Sequence, residues 1–207
     1  MSDSRYNQYM QYMRKAMLLF AATISLFSCS SLRGNDKPES LSPVYVTDDK
    51  PVSVLPPRCM KGSLDTMQLF TGSFGDKAFT AWAYIQADQE GLTMLFLNDM
   101  AIDMGTLSYR ENTLSFSSPY IPKNIKAEYI LLDIQNVYYD FDSLAELYDS
   151  AGLSFTSSVA EGNRTYLLKD GDTIIEEIVS TGTVIRIQNF LRGYSYELKL
   201  AEEDERL

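Results

Sequence analysis

Short apolar runs separated by turn residues dominate the chain from about Thr66 onward. Met67 to Phe74, Ala78 to Ala87, Leu92 to Leu97, Ile102 to Tyr109 and Leu114 to Ser117 are such runs. Gly75-Asp76, Asp88-Gln89-Glu90-Gly91, Asn98-Asp99 and Glu111-Asn112 punctuate them. Gly, Asn and Asp supply the backbone conformations that tight turns need, so this spacing predicts an antiparallel meander. The period then changes. Ile125, Tyr129 and Leu132 recur at helical spacing, and so do Phe141, Leu144, Ala145 and Tyr148. Two short helices are predicted there. Ser143 and Glu146 have capping-box spacing, and Gly152 stands where a helix C-terminus favours a residue free to take positive φ. Strands resume with Leu153 to Ser158, Tyr166 to Leu168, Ile174 to Ser180, Val184 to Phe190 and Tyr194 to Leu200. Asp170-Gly171 is a hairpin signal between two of them. The pattern predicts a mainly β (α+β) domain of about ten short strands around a central helical pair.

Phe79 to Ile85 and Leu92 to Leu97 break the alternation, being apolar on both faces. Strands of that kind are covered on both sides. Either helices pack over the sheet or one face floors an apolar cavity. Trp82, Tyr84, Met94 and Phe96 from these strands, with Leu132 from the first helix, are the candidate lining residues. A transmembrane barrel fits less well, because it needs strands of roughly 9–11 residues and two helices interrupt this series.

The N-terminus reads as an address. Arg14 and Lys15 precede the apolar run Ala16 to Phe27, which is too short to span a bilayer but suits a signal-peptide core. The run ends Leu26-Phe27-Ser28-Cys29, which resembles a bacterial lipobox with a small residue before the cysteine. Residues 1–28 are therefore expected to be a lipoprotein signal peptide, cleaved between Ser28 and Cys29. Cys29 would carry a diacylglycerol and an acyl chain. Ser30 rather than Asp follows, which in enteric-type sorting sends a lipoprotein to the outer membrane, facing the periplasm. Residues 29–57, rich in Ser, Asp and Pro, are expected to be an extended, loosely packed tether. The folded domain would span 58–200, and residues 201–207 form an acidic tail.

Composition narrows the chemistry. The chain has no His, so triads, Cys-His pairs and imidazole metal sites are excluded. Its 28 acidic against 18 basic residues, a formal charge of -10, argue against a nucleic-acid partner. With Cys29 modified, Cys59 alone remains and no intrachain disulfide is expected. No metal or other cofactor is expected, and neither is an enzyme. Among the carboxylates, Asp99, Asp103, Asp140, Asp142, Glu176 and Glu177 are expected at the surface or in caps. Asp133 differs, lying on the first helix among apolar residues. A buried carboxylate must find a partner, for which Arg164 and Arg186 are candidates, or shift its pKa. A helix-to-sheet anchor is the expected role.

Leu55-Pro56-Pro57, Tyr129 to Asn136 (with Asp133-Ile134-Gln135-Asn136), Leu144 to Leu147, Arg164 to Leu167, Ile185 to Asn189 and Gly193 to Tyr196 together resemble the domain-of-unknown-function 3261 family of bacterial lipoproteins. That family is similar in layout to LolB and LolA, the lipoprotein-localisation carriers. The resemblance implies a curved, incompletely closed antiparallel sheet with two helices plugging its concave face. It also implies an envelope role in binding or carrying an acyl or polyene lipid, or a lipoprotein, since family members occur with aryl-polyene biosynthesis genes. A non-enzymatic envelope scaffold with a filled interior is the alternative, and a carboxylate or serine hydrolase a third. Membrane attachment would rest on the chains at Cys29, each buried CH₂ contributing about 0.8 kcal/mol. Cys29→Ala should therefore move the protein from the membrane to the soluble fraction and abolish labelling by radioactive palmitate. Labelling that persists would refute the anchor.

Overall fold

The computed structural model describes residues 39–74, 76–119 and 126–201. Three two-residue strands come first: β1 (Glu39–Ser40), β2 (Val44–Tyr45) and β3 (Pro51–Val52). A meander follows: β4 (Leu64–Phe74), β5 (Lys77–Ala87), β6 (Gly91–Leu97), β7 (Asp103–Arg110) and β8 (Thr113–Ser117). Then come the helices α1 (Ala127–Tyr138) and α2 (Phe141–Ser150). A second meander closes the domain: β9 (Ser154–Ala160), β10 (Asn163–Asp170), β11 (Thr173–Ser180), β12 (Val184–Asn189) and β13 (Tyr194–Leu200). Each of the ten expected strands is present, and the turns expected around Asp88-Gln89-Glu90, Asn98-Asp99, Glu111-Asn112 and Asp170-Gly171 join them, while Gly75 lies outside the described residues. Glu111-Asn112 and Glu161-Gly162 take positive φ at both positions, the two-residue turn whose twist matches its flanking strands.

β13 pairs with β4, which fuses the two meanders into one antiparallel sheet in the order β1-β8-β7-β6-β5-β4-β13-β12-β11-β10-β9. The terminal strands do not pair with each other, so the sheet is open. It is also curved around the helices. α1 packs on β8 near one end, α2 packs on β9 at the other, and Tyr138 of α1 reaches Gln68 in central β4 at 2.8 Å. The core fills the space between. Ala83, Ile85, Met94, Phe96, Leu107 and Tyr109 meet Leu131, Leu132, Ile134, Leu144 and Tyr148 there.

Leu131 through Asn136 are all buried, so α1 is enclosed on nearly every side instead of presenting one stripe. The start of α2 differs from the expected capping box. Asp140 is the N-cap, its carboxylate accepting from the Ser143 N–H at 3.1 Å. Its end is as expected. Gly152 sits at φ 70, and the Leu153 N–H returns to the Tyr148 carbonyl at 2.9 Å.

Residues 41–57 are not the loose tether that their prolines suggest. Val44, Val46, Val52 and Val54 are buried in the core, and a small β2–β3 hairpin holds them. The Ser42 N–H donates to Glu128 at 3.2 Å. The fully buried Gln135 side chain takes both peptide groups of Leu55, accepting from its N–H at 2.9 Å and donating to its C=O at 2.7 Å. An amide side chain thus stands in for a neighbouring strand. Gln135→Ala removes both bonds and should destabilise the fold by about 1–3 kcal/mol. Amide exchange should accelerate selectively across residues 44–55, and unchanged exchange there would show that the clamp is unimportant.

Candidate functional site

The interior holds a polar cluster built from α1, α2 and three strands of the second meander. Asp133 accepts from the Tyr194 hydroxyl at 2.8 Å and from the Tyr196 hydroxyl at 2.8 Å. One turn further along α1, Asn136 donates to Glu176 of β11 at 3.0 Å and accepts from Tyr148 of α2 at 2.7 Å. Asn189 of β12 donates to the other oxygen of Glu176 at 3.0 Å. Asp133, Asn136, Glu176, Asn189 and Tyr194 are all buried.

Asp133 was expected to anchor helix to sheet, and its contacts do join them, but through tyrosines. Neither candidate arginine serves. Arg186 is exposed and pairs with Glu197 at 2.7 Å, while Arg164 is exposed on β10. Glu176, expected at the surface, is the second buried carboxyl of this cluster. In β11 Ile178 lies opposite Ile187, both buried, and that register turns Glu176 inward.

Two carboxyls in contact in a dry interior cannot both ionise. Desolvation pushes Asp133 well above the usual carboxylate range, and the charge on Glu176 adds to it. The two tyrosine hydroxyls and the charge of Arg192 offset only part. Desolvation raises Glu176 too, against the bonds it receives from Asn189, Asn136 and Asp133. Both carboxyls are thus pushed to hold protons to higher pH than ordinary carboxylates. Arg192 itself sits outside on the β12–β13 turn, its guanidinium 4.4 Å over the Tyr129 ring and bonded to the Tyr45 carbonyl. These groups make a structural latch.

The five candidate lining residues divide between the two faces of the sheet. Met94, Phe96 and Leu132 point into the core and are buried. Trp82 and Tyr84 point the other way, because their neighbours Ala81, Ala83 and Ile85 are the buried ones. The helices thus cover only one of the two apolar faces. On the uncovered face a cleft of about 740 Å³ is lined by Met67, Leu69, Trp82, Leu97 and Lys199, with the Asn98–Ala101 turn at its side. Between helices and sheet the aromatic rings are continuous. Phe70 touches Phe96 at 5.9 Å, Tyr196 at 4.8 Å and Phe79 at 5.2 Å between centroids, and Phe79 is 39% exposed. Ser28, Cys29 and residues 202–207 lie outside the described residues. Among the described residues no cluster of acids or cysteine is arranged to hold a metal, and no helix is long and apolar enough to cross a membrane.

An open antiparallel sheet wrapped on a latched helical pair is the class this geometry defines. The model of a family described as protein of unknown function (DUF3261) matches residues 65–202, and the chain belongs to that family. No curated protein matches it.

The latch has a consequence for stability. Both carboxyls hold protons to higher pH when folded than when unfolded. As pH rises from about 4 the unfolded chain releases them first and stability falls, by at most about 1.4 kcal/mol per pH unit per proton. Asp133→Asn keeps an acceptor for the tyrosines and a donor for Glu176 but cannot ionise. Urea unfolding between pH 4 and 8 should show a shallower decline for this variant, and the same slope as the parent would refute a retained proton.

Proposed function

We propose that the protein is a non-enzymatic lipoprotein of the bacterial envelope, anchored through Cys29 in the outer membrane, that binds and hands on an acyl or polyene chain or the lipid moiety of a lipoprotein. The observation that carries this reading is the aromatic track on the helix-bearing face. It runs from the exposed ring of Phe79 through Phe70 to the buried Phe96, and from Phe70 to Tyr196, whose hydroxyl holds Asp133. An apolar chain taken up at Phe79 would follow that track toward α1. Side chains fill the space at rest, so uptake requires α1 to move. Water can replace its hydrogen bonds to Gln68 and Tyr196 in the displaced state, and the incoming apolar chain can replace its apolar contacts. The likeness of the family to LolB in layout supports the same role.

A scaffold without a lipid ligand is the second reading, favoured by the filled interior and by the apolar face that the helices leave uncovered. Extraction of the full-length protein from its native membrane and mass spectrometry of co-purifying lipids separates the two. A stoichiometric acyl or polyene species is expected, and Phe79→Glu should reduce it at least fivefold while circular dichroism stays unchanged. Protein free of lipid across growth conditions would leave the scaffold.

A further inference from the structure

The sheet face turned away from the helices carries an ordered pattern. Strand register places Lys199 of β13, Leu69 of β4, Trp82 of β5, Leu97 of β6 and Asp103 of β7 in one row across the sheet. The next row reads Met67, Tyr84, Leu95 and Thr106. The six apolar side chains are half-buried, and Lys199 and Asp103 are exposed. Polar rows bound the patch, Asp65, Gln86, Thr93 and Ser108 on one side and Glu197, Thr71 and Thr80 on the other. An apolar patch rimmed in this way marks an interaction surface.

The charges say what covers it. The first row is antisymmetric about Trp82, with a cation at one end and an anion at the other. A two-fold axis parallel to β5, lying between two such faces, reverses the row and sets each lysine against an aspartate. It also sets Leu69 against the partner's Leu97, and Met67 against the partner's Leu95. The perpendicular axis would stack lysine on lysine. Two sheets related by the favoured axis keep their strands aligned, which is how sheets pack face to face. The sixteen positions in these rows, each about 4.8 Å by 6.8 Å, give roughly 520 Å² per copy, the size of a weak pair. A lipid chain would match the apolar rows but leave the opposed charges without a purpose.

We propose that the protein pairs with a second copy of itself through this face, Trp82 and Tyr84 lying on the two-fold axis and Lys199 of each copy meeting the partner's Asp103. The helix-bearing faces then point outward, so both copies keep the site assigned above. Sedimentation of the full-length protein in a non-ionic detergent should show a dimer. Lys199→Glu should weaken it roughly tenfold, from two like-charged contacts replacing two ion pairs. Adding Asp103→Lys to that variant should restore it. Asp103 also accepts from the Gly105 N–H at 2.7 Å, so Asp103→Asn, which keeps that bond, checks the loss of charge alone and should weaken pairing less. Tyr84→Cys should cross-link to its own copy under mild oxidation. A monomer at tens of micromolar overturns the proposal, as does a dimer that Lys199→Glu leaves untouched or that the double variant fails to restore. A lipid found on this face in a monomeric protein overturns it as well.

Discussion

The structure depends on the placement of α1, and α1 is placed by buried polar groups whose hydrogen-bond partners are hydroxyls, amides, peptide groups and a carboxyl. Between Asp133 and Tyr138 its side chains reach five different parts of the chain. Asp133 goes to β13, Gln135 to the segment before the sheet, Asn136 to β11 and α2, and Tyr138 to β4. Each bond fixes one register of helix against sheet, because a slip of one residue would strand a buried donor or acceptor at about 1–3 kcal/mol. Apolar contacts alone would tolerate such slips better. The network therefore decides where the helix sits, while the surrounding Leu, Ile and Met side chains supply most of the driving force.

The same network sets the curvature. Both meanders are ordinary twisted sheets that could have lain flat on a pair of helices. Here β13 and β11 are tied to one helix by Tyr196 and Glu176, and β4 to the same helix by Gln68. α2 then carries β9 through stacked Phe141, Phe155 and Tyr166. Strands from both halves are drawn to one axis, and the sheet bends.

The strands and helices were legible in the sequence because their signals are local. Alternation, turn residues and helical spacing each act within a few residues, and Asp133 stood out for its apolar neighbours. The partners of Asp133 were not legible. Tyr194 and Tyr196 read as ordinary inward strand residues about sixty positions away, and nothing local says that their hydroxyls meet a carboxyl. Glu176 and Glu177 are adjacent in a strand, so one must face inward, and only the pairing of β11 with β12 says which. In the segment before the sheet, prolines masked a signal that was present. Val44 and Val46, then Val52 and Val54, are each spaced by two, the period of a half-buried strand. Trp82 and Tyr84 were rightly singled out as large apolar residues on a doubly apolar strand. Which of the two faces the helices would cover is a question of register, to which composition is blind.

β5 shows why the uncovered face is more than incidental. Its inward residues are Ala81, Ala83, Ile85 and Ala87, small where the core is closed, while Trp82 and Tyr84 point outward. A strand whose outer face met only water would carry its bulk inside and polar residues outside. On β5 bulk and burial are inverted, and Met67 and Leu69 of β4 with Leu95 and Leu97 of β6 add apolar side chains to the same outer face. Alanine alone does not force it, since small inward residues are compatible with Thr or Lys outward, as Thr80 shows one row away. Large apolar side chains kept half-exposed in two adjoining rows, with opposite charges at the ends of one, are the composition of an interface core and its rim. The sheet thus has two apolar faces: one holds its own helices through a polar latch, and the other carries the rows on which the proposed pairing rests.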